Sequence, residues 1–301
     1  MRRWQRVMAI ASVLRATLVS VSLAALLLPV AGGESRAADV SAGSAVLPSS
    51  ATASTASLAS APASRASADA RRSGFDFMTP EVQAMQRDDA QNPGMLWVGD
   101  GEALWSRPVG TSSKSCASCH GDASISMRGV VARYPAFDDK TQRPTSLQAR
   151  INACRADHQQ APPLPPEHAD LLALESYVAR QSRGMPIAPP ADPRLAPFVG
   201  QGEKLFHQRM GQLDFSCAQC HDDRAGQRLG GSVIPQAHAT GYPIYRLEWQ
   251  SMGSLERRLR GCMTGVRAEP FAYGAPELTA LELYLAKRAA GMAMDAPAVR
   301  P

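Results

Sequence analysis

The sequence lacks an apolar run of the roughly 20 residues that a membrane-spanning helix needs. The apolar stretch from Ala16 to Val30 is cut short by Arg15, follows a basic start, and leads to a cleavage pattern at Ser35-Arg36-Ala37. This arrangement is typical of a secretory signal peptide rather than an uncleaved membrane anchor. We expect residues 1–37 to be a cleaved signal, and the exported protein to lie in the periplasm without a membrane span.

The net positive charge of the protein is small once residues 1–37 are removed. Residues 1–37 contain five arginines and one glutamate, so their removal takes away +4 of the formal net charge of +5. The exported protein is therefore close to neutral. Because phosphate binding needs a retained basic face, this balance argues against a nucleic-acid partner.

Aromatic residues are absent from residues 38–74, which are rich in alanine, serine and proline and show no periodic apolar face. Such a composition predicts a disordered linker, because the segment has too little apolar surface to form a core. We expect the ordered sequence to begin near Phe75.

The remainder of the chain contains the same series of segments twice in one order, which predicts a tandem duplication. The offset between the copies changes little from one segment to the next. We expect one domain in residues 75–190 and a second in residues 191–301. The recurring segments are GDGEALW from Gly99 and GQGEKLF from Gly200, CASCH from Cys116 and CAQCH from Cys217, YP from Tyr134 and Tyr242, SLQARINAC from Ser146 and SLERRLRGC from Ser254, and LESYVARQSRGM from Leu174 and LELYLAKRAAGM from Leu281.

Each copy has the pattern of a small helical domain. The apolar periodicity predicts a first helix, a short turn, a loop, an amphipathic helix ending near a cysteine, and a last helix. The last helix is expected to open at Pro165-Pro166-Glu167 in the first copy and at Pro276-Glu277 in the second, and to close at Gly184 and Gly291. The predicted fold is all-α, with two tandem domains related by duplication.

Cysteine is scarce, with six residues, and four of them lie in two Cys-x-x-Cys-His motifs. This motif is the attachment signature of c-type haem: the two thiols add to the haem vinyl groups and the adjacent histidine binds the iron. A redox CxxC pair or a zinc knuckle is a weaker explanation, since neither needs the following histidine. We predict two covalently attached haems, held by Cys116, Cys119 and His120 and by Cys217, Cys220 and His221. The two tandem all-α domains are therefore predicted to be cytochrome c-like.

The two remaining cysteines occupy equivalent places in the copies. Cys154 lies between the first CxxCH motif and the last helix of its copy, and Cys262 lies between the second motif and the last helix of the other. Small c-type cytochromes usually have an axial methionine in this region, but no methionine here repeats in both copies. Cys154 and Cys262 are therefore candidate thiolate ligands of iron. A disulfide between them, or two free structural thiols, are the alternatives.

An arginine precedes each of these cysteines by four residues, which puts both side chains on one helix face. Arg258 holds this place before Cys262 and Arg150 holds it before Cys154, while Arg257 and Arg260 add charge near Arg258. Guanidinium groups suit small oxyanions because they present paired donors and a permanent charge. The alternatives are a solvated helix face or arginines that bind haem propionates.

Taken together, these residues resemble the SoxA family, the A subunits of the SoxAX cytochromes of bacterial thiosulfate oxidation. The resemblance covers nearly everything from Phe75 to Pro301, and both CxxCH motifs are intact, which is typical of a dihaem member. It rests on the segments QNPGMLWV, SCASCHG, ARYPAF, RINAC, QSRGMPI, SCAQCHDD, GYPIYRLEWQ, RRLRGCMTGVRAEPFAYG and LELYLA.

The resemblance implies roles for the cysteines and for one arginine. The first haem would have His120 and Cys154 as axial ligands, and the second would have His221 and Cys262. Cys262 would be the active-site cysteine, often found as a persulfide in the family, and Arg258 would contact the substrate.

The resemblance also implies an activity and its partners. The family acts as an L-cysteine S-thiosulfotransferase: thiosulfate is joined oxidatively to a cysteine of the SoxYZ carrier, and two electrons pass to c-type cytochromes. The A subunit works as a heterodimer with a small monohaem SoxX-type cytochrome.

Two other classes of protein remain possible from the sequence. A dihaem electron-transfer cytochrome without catalysis of its own needs only the haems. A dihaem peroxidase needs one iron with an open or displaceable position, and the paired cysteines argue against it.

Overall fold

The computed structural model describes residues 70–301. The predicted signal peptide, residues 1–37, lies outside the described residues, as does most of the predicted linker, residues 38–74. The end of that linker contacts the fold, since Arg71 donates hydrogen bonds to the carbonyl oxygens of Arg288 at 3.1 Å and Ala290 at 2.9 Å. Within the described part of the chain, no helix is long and apolar enough to cross a membrane.

The described residues are mostly helical. Short 3₁₀ turns at Gly74–Phe77, Val131–Arg133 and Pro193–Leu195 and a π-helical turn at Arg155–Gln159 accompany the α-helices. The α-helices of this region are α1 (Pro80–Arg87), α2 (Gly94–Ser106), α3 (Ala117–His120), α4 (Ala123–Ser126), α5 (Leu147–Cys154), α6 (Ala169–Arg180), α7 (Ala196–His207), α8 (Cys217–His221), α9 (Leu255–Gly265) and α10 (Pro276–Arg288).

Strands of two or three residues lie between the helices of residues 70–301. β1 and β2 form an antiparallel pair, β3 and β4 form another, and β5 pairs antiparallel with β6 and parallel with β7. The all-α prediction omitted them, because such short runs show no alternation of apolar and polar residues. The strands are β1 (Ala136–Asp138), β2 (Arg143–Thr145), β3 (Arg228–Leu229), β4 (Ser232–Val233), β5 (Ile244–Arg246), β6 (Ser251–Gly253) and β7 (Ala298–Arg300).

The last helix of the first copy starts later than the sequence predicts. α6 begins at Ala169, with the His168 side chain accepting a hydrogen bond from the Asp170 amide, and not at Pro165-Pro166-Glu167. Glu167 has φ of 60°, which is incompatible with the first turn of an α-helix. In the second copy α10 does begin at Pro276, and Gly291 follows it with φ of 85°.

The same pair of helices packs in each half of the described chain, α2 against α6 and α7 against α10. At both crossings a glycine allows the backbones of the two helices to approach closely. A Cβ built on Gly101 would overlap the carbonyl oxygen of Ala173, and a Cβ built on Gly202 would overlap that of Ala280. These are equivalent positions of the two copies, so each half holds its first and last helices together in the same way.

The two halves meet about an approximate two-fold axis. Pro186 pairs antiparallel with Ala293, its own equivalent in the other copy. The hydrogen bonds on either side are related by the same symmetry. They run from the Gly184 amide to Met294 O, from Gly291 to Ile187 O, from Ile187 to Met292 O and from Met294 to Met185 O, at 2.8 to 2.9 Å.

A cavity of about 80 Å³ lies near this axis and is lined by acidic side chains from both halves. Glu175 of α6 accepts a hydrogen bond from Gln148 Nε2 at 2.7 Å, while the equivalents of these two residues in the other half are Glu282 and Glu256. Burial raises the pKa of Glu175 to about 7, and burial together with Glu256 and Glu175 raises the pKa of Glu282. Glu175 and Glu282 therefore bind protons more tightly in the folded protein than in the unfolded chain.

This cavity should make the protein less stable as the pH rises. Because the pKa of Glu175 is raised in the folded state, the folded protein binds more protons than the unfolded chain between pH 4.5 and about 7, and stability falls across that window. The shift corresponds to about 3 kcal/mol. We expect Glu175→Gln, which still accepts the Gln148 hydrogen bond, to reduce the loss of unfolding free energy between pH 5 and pH 7.5, measured by urea titration. The exposed Glu203→Gln is the control, and an equal pH slope in both variants would contradict the assignment.

Candidate functional site

The second CxxCH motif forms the short helix α8. Its N-terminus is held by a reciprocal cap, in which Ser216 Oγ accepts from the Gln219 amide at 3.3 Å and Gln219 Oε1 accepts from the Ser216 amide at 2.9 Å. The cap holds Cys217, Cys220 and His221 within little more than one helical turn. Two thiols and an imidazole are therefore presented together, as attachment of a c-type haem requires.

The His221 ring is oriented for metal binding. Its Nδ1 lies 2.7 Å from the carbonyl oxygen of Pro235. A carbonyl oxygen only accepts hydrogen bonds, so Nδ1 carries the proton. Nε2 is therefore the nitrogen that would bind a metal, and this kind of backbone hydrogen bond is the usual support of a metal-bound histidine. The donor set of the second motif fits haem iron.

Cys262 of α9 lies beside the His221 ring, in a positively charged environment. Burial acts to raise the pKa of the Cys262 thiol, but His221, Arg258 and Arg246 outweigh it and hold this pKa below its ordinary value. Within the same motif, burial raises the pKa of Cys217 to about 11. The structure thus brings together the predicted residues His221, Cys262 and Arg258, and favours a thiolate at Cys262 alone.

The first CxxCH motif forms α3, and Cys154 ends the nearby helix α5. Cys154 lies close enough to Cys116 and Cys119 for their charges to interact. His120 is exposed, and its ring centroid lies 5.7 Å from that of Trp105. Burial raises the pKa of the Cys154 thiol even though Arg150 opposes it. Cys154 therefore also lies beside the haem-binding motif of its own half, but its surroundings are less positively charged than those of Cys262.

The disulfide alternative for Cys154 and Cys262 finds no support in this arrangement. All six cysteines are free. Each of the two lies beside the CxxCH motif of its own half, Cys154 by Cys116 and Cys262 by His221. Iron ligation by these two residues stays a prediction, and the position of each thiol is compatible with it.

The arginines four residues before the two cysteines have different partners. Arg150 donates to Asp138 Oδ1 at 3.1 Å and also bonds Tyr134. Arg258 forms no hydrogen bond or ion pair with a carboxylate of residues 70–301, and its strongest charge interaction is with Cys262. The guanidinium beside Cys262 is therefore available to an anion, while the one beside Cys154 is already neutralised.

Two other arginines that the sequence placed near Cys262 point elsewhere. The Arg257 guanidinium lies 4.0 Å from the ring centroid of Trp249, and that of Arg260 lies 4.3 Å from the ring centroid of Tyr273. One arginine that sequence reasoning missed, Arg246 of β5, is buried and lies near Cys262. It could have been found by aligning the two copies on their Tyr-Pro pairs, because an aspartate stands at the equivalent position of the first copy.

Comparison with known proteins identifies the family of this chain. The family model of the SoxA/TsdA cytochrome c domain matches residues 100–187 and again residues 201–294. A protein of Rhodovulum sulfidophilum described as L-cysteine S-thiosulfotransferase subunit SoxA is 37% identical over 232 residues, which are 77% of this chain and 81% of the relative. A protein of Pseudaminobacter salicylatoxidans with the same description is 38% identical over 76% of this chain and 80% of the relative.

A solved structure has the same fold as the described residues. The crystal structure of SoxXA from P. pantotrophus superposes with a TM-score of 0.74 at 33% identity, covering 77% of this chain and 87% of that one. The described residues thus have the cytochrome c-like fold of that protein, and a cytochrome c domain implies covalently bound haem c. The family match and the long matches to the two relatives confirm the resemblance noted in the sequence: this chain is a member of the SoxA family.

Proposed function

We propose that the protein is the SoxA subunit of an L-cysteine S-thiosulfotransferase, which joins thiosulfate oxidatively to a cysteine of a SoxYZ-type carrier. In the net reaction, a carrier thiol and thiosulfate give a cysteine S-thiosulfonate, one proton and two electrons, and the electrons pass to c-type cytochromes. The names of the SoxA relatives support this activity. The alternative of a dihaem electron-transfer cytochrome without catalysis is not favoured, since it gives no reason for the difference between the two thiol sites.

One observation carries the assignment of the site. The two copies have the same haem motif and the same cysteine, but only Cys262 combines a lowered pKa with an arginine that forms no ion pair with a carboxylate of the described chain. A thiolate is the nucleophilic form of cysteine, and a free guanidinium is what a dianionic substrate needs. The second copy is therefore assigned the reaction with thiosulfate, and the first copy is not.

Two haems are proposed, one for each motif. Cys116 and Cys119 would hold the first covalently, with His120 and Cys154 binding its iron. For the second haem, Cys217 and Cys220 would be the attachment residues, and His221 and Cys262 would bind the iron. The bound haem would supply a one-electron acceptor for the reaction.

Cys262 and Arg258 have separate tasks in the proposed reaction. Arg258 holds the sulfonate end of thiosulfate by charge-assisted hydrogen bonds. The outer sulfur of thiosulfate forms an S–S bond with the thiolate or persulfide sulfur of Cys262, with release of two electrons. The carrier thiol then loses its proton and attacks that outer sulfur, displacing the Cys262 sulfur as a thiolate, so the thiosulfonate leaves on the carrier and Cys262 is regenerated.

The same proposal includes the organisation of the chain and its partners. Residues 75–190 and 191–301 are taken as two duplicated cytochrome c-like domains, which the double match of the family model and the equivalent glycine crossings support. A monohaem SoxX-type subunit is the proposed heterodimer partner, since the superposing structure is a SoxXA complex. We place the exported protein in the periplasm, after cleavage of residues 1–37.

A turnover assay tests this function. The purified heterodimer is mixed with thiosulfate, the carrier and ferric cytochrome c, and reduction of the cytochrome is followed. We expect two electrons per thiosulfonate formed, and no reduction when either thiosulfate or the carrier thiol is left out. Thiosulfate-independent reduction alone would favour the electron-transfer alternative. Low-temperature electron paramagnetic resonance tests the ligand sets, because histidine/thiolate haem is distinguishable from bis-histidine and histidine/methionine haem.

A further inference from the structure

Arg246 is a buried cation whose charge is poorly compensated. Its side chain is 10% exposed, and its Nη2 lies 2.8 Å from Oε1 of Glu248, which is 53% exposed. Its Nε is buried and has no hydrogen-bond acceptor among the described residues. A guanidinium held in this way has an unused donor inside the protein, which is costly unless a ligand accepts from it.

The first copy has a residue of opposite charge at the position equivalent to Arg246. The β1–β2 pair and the β5–β6 pair have the same register, so that Ala136 opposite Thr145 matches Ile244 opposite Gly253. The third residue of the first strand is Asp138 in one copy and Arg246 in the other. The charge at this position is therefore reversed between the copies.

The reversal changes the surroundings of the arginine on the following helix. In the first copy Asp138 pairs with Arg150 at 3.1 Å, and the two charges cancel. In the second copy Arg246 stands where a partner of Arg258 would be, and burial together with the charge of Arg258 lowers the pKa of Arg246. Two guanidinium groups thus lie near Cys262, and no buried carboxylate of residues 70–301 pairs with either of them. A further anion can bind there without displacing a buried ion pair.

We propose that Arg246 is a substrate-binding residue, and that Arg246 and Arg258 together form a subsite for the sulfonate group of thiosulfate beside Cys262. The inference rests on the proposed function and adds a specific residue to it. A tetrahedral dianion with three oxygens can accept from two guanidinium forks at once, and its two negative charges match the two cations. The first copy has an internal carboxylate at the same place and is closed to such a ligand.

Steady-state kinetics of Arg246 variants tests the subsite. Loss of one charge-assisted contact should raise the KM for thiosulfate about 10- to 100-fold in Arg246→Gln, with a smaller change in kcat. Arg246→Lys, which keeps the charge but loses the fork, should fall between this variant and the wild type. Arg246→Asp recreates the pair of the first copy and should prevent saturation by thiosulfate. The exposed Arg107→Gln controls for loss of one positive charge.

Haem propionates have the same anionic chemistry, so the haem content and absorption spectrum of each variant are measured first. Loss of the second haem in Arg246→Gln would overturn the proposal, because the arginine would then serve the cofactor. An unchanged KM with both haems present would overturn it as well. Absence of thiosulfate turnover in the wild-type heterodimer would instead contradict the proposed function itself. Failure of the subsite and failure of the proposed function are therefore distinguishable.

Discussion

Cys262→Ala should lower thiosulfate-dependent turnover by at least about 10³-fold. The variant removes the one thiol whose pKa is lowered by its surroundings, and with it the sulfur on which thiosulfate is conjugated. The attachment residues Cys217 and Cys220 are untouched, so the haem should remain covalently bound. The measurement is cytochrome c reduction with saturating thiosulfate and carrier, normalised to haem content.

A matched control lies on the same helix. Thr264 of α9 is exposed and two residues from Cys262, so Thr264→Ala should keep wild-type turnover. Electron paramagnetic resonance of Cys262→Ala should show loss of one histidine/thiolate signal. Full turnover in this variant with both haems attached would remove the catalytic role of Cys262.

Gly202→Ala should destabilise the protein by about 3 kcal/mol, which is at the upper end of the usual cost of overpacking. A Cβ on Gly202 would overlap the carbonyl oxygen of Ala280 and would lie 2.7 Å from Cβ of Tyr284. Both neighbours belong to α10, whose backbone must therefore move away from α7. The free energy of unfolding from a urea titration measures the effect.

The control for Gly202 is two residues away on the same helix. Gly200 is exposed, and a Cβ there meets nothing within 4 Å. Gly200→Ala should stabilise the protein by roughly 0.5 to 1 kcal/mol, because alanine is the better helix former. In the first half, Gly101 is the glycine at the helix crossing and Gly99 is its exposed control. If alanine changed the unfolding free energy equally at the crossing glycine and at the exposed glycine, close packing of these helices would be refuted.

The haem motifs were predictable from the sequence because they are local, and Cys154 and Cys262 were predictable because they are repeated. CxxCH has its chemical meaning within a single short motif, and the recurrence of Cys154 as Cys262 is visible without knowing any contact. The last helix of the second copy was also predicted, since its apolar spacing and Pro276 are local signals.

Other features had no local signal. The short strands β1 to β7 have too few residues to show a period, so an all-α fold was expected. The late start of α6 depends on the positive φ of Glu167, which the preceding prolines do not reveal. The acidic cavity depends on Glu175 and Glu282 meeting near a two-fold axis, and these residues lie in different copies, far apart in the sequence.

By itself, the sequence determined that this chain carries two CxxCH motifs, a repeated cysteine after each, and membership of the SoxA family. Only the tertiary structure decided which of the two thiols has a lowered pKa. The reason is that the groups lowering the pKa of Cys262, which are His221, Arg258 and Arg246, lie on three separate elements. The chain must fold before they surround this thiol.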